Sequence, residues 1–258
     1  VAALRGRGIE ARTIAWDDPD DDPASLDVCV LRATWNYPRH PEAFGAWLER
    51  ASDVTRLLNP LPAVRWNLEK TYLRELERGG VPVVPTEFVA RGGSASIAEV
   101  CARRGWGEVV VKPTLSAASF LTRRFAPDER DGAQRYLDEH VGSRGMMVQP
   151  FMHAVETSGE RSVIWIDGEF THAVHKTVRF HGADESVRAL DAIDDGDLEL
   201  AERVMALAPH GLLYARVDIM HDDGSARLSE LELIEPSLFF PYSERALERM
   251  VSGIQRMA

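Results

Sequence analysis

The sequence predicts a mixed fold, a small parallel α/β unit in front and a larger α+β body of antiparallel hairpins behind. Two observations carry this. In the front part strand-like and helix-like segments alternate, the pattern of a parallel sheet with crossover helices. Farther on, Asp167-Gly168 and Asp222-Asp223-Gly224 stand between apolar segments, and such Asp-Gly pairs favour tight hairpin turns. A length of 258 residues suits one large domain or two to three small ones, and 45% apolar with 28% charged residues is a globular composition.

Taken in order, Val1 to Leu4 reads as a helix approaching a stop at Gly6 to Gly8, so an amino-terminal strand is expected to precede Val1. Ile9 to Trp16 is β-compatible. The run Asp17, Asp18, Asp20, Asp21 and Asp22, with Pro19 and Pro23, can neither extend a strand nor cover a core, so it is a loop. Asp27 to Leu31 is a short buried strand, and Phe44, Trp47, Leu48 and Ala51 form the stripe of an amphipathic helix. The strand leads into Arg32-Ala33-Thr34-Trp35-Asn36-Tyr37-Pro38, and ligands of open α/β sheets gather at such carboxyl ends. Arg32, Trp35, Asn36 and Tyr37 are therefore candidates for substrate recognition; the alternative is that Arg32 pairs with an acidic neighbour and Trp35 packs.

Asn67 fits the N-cap of a helix over Leu68 to Arg78, stopped by Gly79 and Gly80. Lys70 then sits in the first turn, where the helix dipole disfavours a cation unless an anion shares the site. Ser96 and Glu99 open a helix that ends before Gly105. Glu108 to Lys112 is a strand closed by Pro113, Asp128 to His140 a helix, and Met146 to Gln149 a strand. Between the two hairpins lie a polar loop, Thr177 to Gly196, and a helix from Asp197 to Ala208, while Ser243 caps a last helix.

Thirty Lys and Arg against forty-one Asp and Glu leave a net charge of −11, which repels phosphate backbones and anionic membranes. No apolar run approaches the roughly 20 residues of a membrane span. A cytoplasmic protein without nucleic-acid or membrane partners is expected. Cys29 and Cys101 show no CxxC spacing and read as buried thiols. His172 and His175 fall on opposite faces of one strand, which argues against a zinc site.

The sharpest chemical feature is Ser229-Glu230-Leu231-Glu232-Leu233-Ile234-Glu235-Pro236 with Asp218 on the partner strand. Strand alternation puts Glu230 and Glu232 on one face, and Asp218 can reach it. Three close carboxylates are costly unless a hard divalent cation compensates them; a solvated acidic face is the alternative. Lys112, at the end of a Val-Val-Val strand, is either a snorkelling edge residue or a phosphate ligand. The segment Ser116 to Thr122 is small and hydroxyl-rich, lacks the glycines of a P-loop, and suits a lid.

In this order the segments NLEKTYLRELERGGVPVVPT, EVVVKP, MVQPFMHAVETSGERSVIWIDGEFTHAV, ARVDIM and SELELIEP resemble the ATP-grasp ligase superfamily, in its glutathione-synthetase-like branch. VVVKPTLSAASFLT, the WN..K helix, ELELIEP and LRATWNYP are most similar to the group of the cycloserine-forming O-ureido-serine cyclo-ligase. The resemblance implies a Rossmann-like pre-ATP-grasp domain over residues 1–65, a small lid subdomain over 66–150 and a large antiparallel α+β catalytic subdomain over 151–258. It implies an ADP-forming carbon-nitrogen ligase that uses ATP and two Mg2+ ions, with Mn2+ as a substitute, to activate a small amino-acid-like carboxylate as an acyl phosphate. Intramolecular cyclisation is within that chemistry, and a homodimer is left open.

Carried over by motif, Lys70, Lys112 and Ser116 would bind nucleotide phosphates, Gln149 and the Phe151 backbone the adenine, and Glu160 the ribose. Asp218, Glu230 and Glu232 would hold the metal ions, with Arg216 and Lys176 near the transferred phosphoryl group. Two departures stand out: Glu232 where many relatives have Asn, and the glycine-poor lid. Such chemistry asks for positioning and charge neutralisation rather than a protein nucleophile. The competing readings are a small-molecule kinase on the same fold and a non-catalytic ATP-binding protein; the retained charges of Lys70, Lys112, Asp218, Glu230 and Glu232 speak against the latter.

Overall fold

The computed structural model describes residues 1–177, 186–222 and 224–258. The front unit runs α1 (Ala2–Arg5), β1 (Val28–Val30), α2 (Pro41–Val54) and β2 (Arg56–Leu58), with β1 and β2 parallel. The stripe Phe44, Trp47, Leu48 and Ala51 is buried and closes a cluster with Trp16, Leu31, Tyr37 and Ile234. Ile9 to Trp16 does not form the expected strand. Its polar groups are taken locally: Arg5 Nε donates to Ala11 O at 2.8 Å and Ala15 N to Asp21 Oδ2 at 2.7 Å.

Next come α3 (Leu61–Leu68) and α4 (Tyr72–Arg78), so the expected single helix capped by Asn67 is replaced by two helices with a break. The reason lies in how Asn67 is used. It sits inside α3, where its amide donates to Leu231 O at 2.7 Å and accepts from Leu233 N at 2.8 Å. Lys70 falls in the break rather than in a helical first turn, its backbone N–H donating to Thr114 O at 2.8 Å.

The middle unit contains β3 (Glu87–Val89), α5 (Ile97–Arg104), β4 (Val109–Pro113), β5 (Arg123–Phe125), α6 (Arg130–Val141) and β6 (Met146–Pro150). The strands form an antiparallel sheet of order β3-β6-β4-β5, and the two helices bury Ile97, Cys101, Ala133 and Leu137 against it. Ser96 caps α5 by accepting from Glu99 N, and Gly105 ends it at φ 69°, a left-handed position that glycine adopts without strain.

The rear unit adds α7 (Ala154–Ser158), β7 (Glu160–Ile166), β8 (Glu169–Lys176), β9 (Val187–Ala189), α8 (Asp195–Leu207), β10 (Tyr214–Asp222), β11 (Ser225–Glu232) and α9 (Glu244–Met257). Its sheet is antiparallel with order β11-β10-β7-β8-β9. Asp167 at φ 54° and Gly168 at φ 78° make the two-residue turn between β7 and β8. The loop expected over Thr177 to Gly196 holds a strand, because Val187–Ala189 pairs with β8; residues 178–185 and Asp223 lie outside the described residues. α8 starts two residues before its expected position, since Asp194 accepts from Gly196 N and caps it.

The free edge of β11 is closed by side chains and by one extended segment. The Tyr72 hydroxyl donates to Leu231 O at 2.8 Å and accepts from Leu231 N at 2.9 Å. Val84 N donates to Leu228 O at 2.9 Å and Leu228 N to Pro82 O at 2.8 Å. Tyr72, Leu73, Leu76, Val81 and Val83 accordingly share a core with Leu200, Val217 and Leu231 of the rear unit. Residues 72–83 therefore pack with the rear unit, whereas Val64, Leu61 and Leu68 just before them pack with the front cluster.

Asn59 fastens the front unit to β10. Its Nδ2 donates to Tyr214 O and Leu233 O, both at 2.8 Å, and its Oδ1 accepts from Leu213 N at 2.7 Å and Tyr214 N at 3.3 Å. Asn59→Ala leaves these buried backbone groups without partners and is expected to cost about 3 kcal/mol. A urea unfolding curve checks this; a midpoint equal to that of the wild type would contradict the role.

Candidate active site

The site is built on the face of β10 and β11 that carries alternate polar residues. Arg216 stands opposite Glu232 and Asp218 opposite Glu230, and the ladder shifts register just after Asp218. Arg216 grips Asp218 with two donors, Nε to Oδ1 at 2.9 Å and Nη2 to Oδ2 at 2.7 Å, and also bonds Glu232. Such fork-shaped pairs are the strongest ionic contacts a protein makes. Lys176, at the end of β8, reaches Glu160 Oε2 at 2.7 Å and Asp218 Oδ2 at 3.2 Å. Lys70 reaches Glu230 Oε1 at 2.8 Å and donates to Ser116 O at 2.7 Å, joining the strand to the segment after β4.

Among the described residues no three acidic, His or Cys side chains are already gathered around a cation position. The carboxylates Asp218, Glu230 and Glu232 share a face, but each holds a cationic side chain. Five carboxylates (Glu160, Asp218, Glu230, Glu232, Glu235) thus meet five cations (Arg32, Lys70, Lys112, Lys176, Arg216). The charges bear unequally on one another. Burial alone would raise Asp218, yet Arg216 and Lys176 outweigh it and hold Asp218 well below the usual carboxylate range. Glu232 is pushed up to about 7 by burial, Arg216 opposing and Glu230 and Asp218 reinforcing the rise. Glu235 is pushed up to about 8, first by burial and then by Glu232, against the pull of Lys70. Burial lowers Lys112, which Glu230 only partly offsets, and no described acceptor bonds its ammonium group.

A cavity of about 480 Å3 opens over these groups, lined by Lys70, Lys176, Arg216, Glu230, Glu232 and Glu235 below and by Trp35, Tyr37, Ser116 to Ser119 and Phe239 around. Two non-glycine residues of its rim are left-handed, Ala118 at φ 48° and Ser119 at φ 58°, as is Leu121 two residues on, at φ 52°. A larger depression of about 660 Å3 lies at the acidic loop between Asp17, Asp22, His40 and Arg50, and it contains none of the lysines or glutamates above.

Of the residues singled out from sequence, Glu160 joins the network, accepting from Ser229 Oγ as well as holding Lys176. Gln149 and Phe151 belong to β6 and its exit rather than to the cavity wall; Gln149 Nε2 donates to Thr86 Oγ1 at 2.9 Å and Phe151 N to Glu108 O at 2.9 Å. Trp35 and Tyr37 line the cavity. Asn36 does not, and its expected substrate role is replaced by a structural one: it accepts from Trp16 Nε1 at 2.7 Å and donates to Asp17 at 2.6 Å. Arg32 lies over the Tyr214 ring, 5.5 Å from its centroid, with Nη1 buried and unbonded. His172 and His175 gather no metal-binding group among the described residues.

Sequence reasoning missed Ser162, whose hydroxyl donates to Asp218 Oδ1, and Glu235. Ser162 gives no signal until strand pairing sets it opposite Asp218. Glu235 does give one, as a lone carboxylate in the apolar stretch between Leu233 and Phe240. Its raised pKa means that its favourable contribution to folding is complete below the ordinary value of 4.5 and is lost as pH rises through about 8. In chelator-treated protein the Tm should therefore fall between pH 5 and pH 8.5, and Glu235→Gln should flatten that decline. Parallel wild-type and variant curves would contradict it.

Comparison with known proteins agrees with this geometry. Residues 1–59 match the family model described as the D-cycloserine synthetase DcsG N-terminal domain. The chain is 34% identical over 272 residues to the cycloserine biosynthesis protein DcsG of Streptomyces lavendulae, covering 98% of this chain and 91% of that one. The crystal structure of D-cycloserine synthetase DcsG superposes with a TM-score of 0.89 at 32% identity, over 100% of this chain and 93% of that one. The ATP-grasp ligase PsnB, solved with a minimal precursor, shares the fold at a TM-score of 0.68 and 20% identity, over 100% and 93% of the chains. With near-complete coverage by a curated relative and by a solved structure at 32% identity, this chain belongs to the D-cycloserine synthetase family of ATP-grasp ligases.

Proposed function

We propose that this enzyme uses ATP and Mg2+ to activate the carboxylate of a small amino acid and closes it onto a nitrogen of the same molecule, forming D-cycloserine. The observation that carries the reading is the buried charge network on β10 and β11. Its lysines and arginine are held by carboxylates, with Lys112 left without a described partner. A half-buried ammonium group without a bonded anion suits a phosphate guest. The oxygen donors Asp218, Glu230 and Glu232 suit a hard divalent ion, and the like-charge pressure that raises Glu232 is the pressure such an ion relieves. When bound, Mg2+ neutralises the phosphate oxygens and polarises the phosphorus under attack.

The chain's own residues then divide the work. Lys70 and Lys112 take nucleotide phosphates, and Ser116 belongs to the segment that covers them. Gln149 has its amide oxygen left for the adenine amino group, since its nitrogen is spent on Thr86, and the Phe151 backbone lies alongside. Glu160 has lone pairs beyond those used by Lys176 and Ser229 to meet the ribose. Arg216 and Lys176 stabilise the phosphoryl group in flight. A substrate carboxylate oxygen attacks the γ-phosphorus as the bond to ADP breaks. The internal nitrogen then attacks the acyl carbon, loses its proton, and expels inorganic phosphate; where that nitrogen carries a carbamoyl group, as in O-ureido-D-serine, water removes the group as carbon dioxide and ammonia to leave D-cycloserine. Trp35, Tyr37 and Arg32 hold the substrate, and the Ser116–Thr122 segment excludes the water that would hydrolyse the acyl phosphate.

ADP release across an amino-acid panel that includes O-ureido-D-serine tests the reading, with mass spectrometry of the product to separate ligation from simple phosphorylation. Glu230→Gln should lower turnover at least about a hundredfold with the fold intact; unchanged turnover at saturating Mg2+ would remove the metal assignment. Amide exchange reports on the lid: protection of Ser116 to Thr122 should rise on adding Mg2+ with a non-hydrolysable ATP analogue. Equal protection in both states would make the segment a fixed loop.

A further inference from the structure

One carboxylate of the cavity behaves unlike its neighbours. Asp218 is bonded by Arg216, Lys176 and Ser162, Glu230 by Lys70, Glu232 by Arg216, and Glu160 by Lys176 and Ser229. Glu235 is only 8% exposed and lines the same cavity, yet no described residue donates a hydrogen bond to its carboxylate. Its backbone is fixed, because Glu235 O accepts from Trp35 Nε1 at 3.3 Å and the preceding Ile234 packs into the front cluster. Arg32 acts on it through space without coming within ion-pair distance, its guanidinium being turned to the Tyr214 ring.

Tyr37 lines the same cavity. It is 4% exposed, its hydroxyl has no described partner, and after burial itself Glu235 is the charge that bears on it most strongly. A carboxylate and a phenol, both buried, both facing one cavity and both short of partners, ask for a guest that brings several donors and a positive charge. An ammonium group has three N–H donors and no acceptor. The geometry also separates this pair from the metal carboxylates: Glu235 lies past the end of β11, toward the front unit, whereas Asp218 and Glu230 are directly opposed within the ladder.

We propose that Glu235, with the Tyr37 hydroxyl lining the same cavity, is the subsite for the α-ammonium group of the amino-acid substrate. This rests on the amino-acid ligase reading of the same cavity and adds to it the basis of selection for an amino acid over a plain carboxylic acid. The α-carbon joins ammonium and carboxylate, so a group held at Glu235 sets the carboxylate against Arg216 and Lys176 across the same cavity. A substrate without the amine leaves Glu235 and Tyr37 as bare as they are now, which is the condition under which a polar site rejects an analogue strongly.

Calorimetric titration of the full chain with Mg2+ and ADP present tests this, using D-cycloserine and its counterpart without the amine, isoxazolidin-3-one. Wild type should bind D-cycloserine at least about tenfold more tightly, the scale of one charge-assisted hydrogen bond. Glu235→Gln should abolish that preference while ADP affinity stays within about twofold, and Glu235→Asp should restore part of it. A preference retained in Glu235→Gln overturns the subsite and leaves the ligase reading standing. A variant that keeps the preference but loses Mg2+-dependent ADP binding overturns it too, making Glu235 a metal ligand. Wild type that binds neither compound and releases no ADP with the amino-acid panel overturns both. Should Glu235→Gln fail to fold, Tyr37→Phe carries the test: its preference must drop about threefold or more, and an unchanged value counts against the proposal.

Discussion

The site depends on a set of opposed charges held largely out of water. Five carboxylates and five cations share one face of β10 and β11 and its surroundings, and the desolvation of the paired ones is tolerable because of their partners. Arg216 is the centre of the arrangement, since it bonds two carboxylates at once and, despite burial, is held even more firmly protonated than an ordinary arginine. The network is thus mostly paired within itself, with Lys112 and Glu235 left without a bonded partner among the described residues, and it is easily re-partnered. Arrival of a polyanion with its metal ions lets the cations turn to phosphate and the carboxylates turn to metal, an exchange of like for like that needs little rebuilding of the backbone.

Holding such a network requires a rigid floor, and the floor is assembled from distant parts of the chain. Asn59 pins β10 and the exit of β11, Tyr214 sets its hydroxyl between Leu31 O at 2.9 Å and Ile234 O at 2.8 Å, and Asn67 and Tyr72 hold Leu231 and Leu233. By contrast, the roof is light. Lys70 touches both at once, Glu230 in the floor and Ser116 O in the roof, so a phosphate competing for its ammonium group bears on both contacts.

The parts legible in the sequence were those governed by local periodicity. The α2 stripe, the Asp167-Gly168 turn, the Ser96 cap and the shared face of Glu230 and Glu232 follow from residues a few positions apart. What could not be read locally was decided by partners far along the chain. Asn67 looks like a helix cap until Leu231 and Leu233, 164 and 166 positions away, claim its amide. Asn36 looks like a ligand until Trp16 and Asp17 use both ends of it. Val187–Ala189 lacks a strand-like pattern, yet β8 offers it an edge. Glu235 fell outside the face argument because strand alternation stops at Glu232, so period-two reasoning had nothing to say about the next turn of chain.

The closed edge of β11 has one more consequence. An exposed strand edge is an invitation to another strand, and a sheet that presents one risks growing by aggregation or by exchanging segments between copies. Here the invitation is withdrawn by side-chain amides and a phenol rather than by a further strand, with Pro82 to Val84 taking the rest. The strand that carries the carboxylates is thus closed to intermolecular pairing along its edge, with one face covered by α8 and the other left to the cavity.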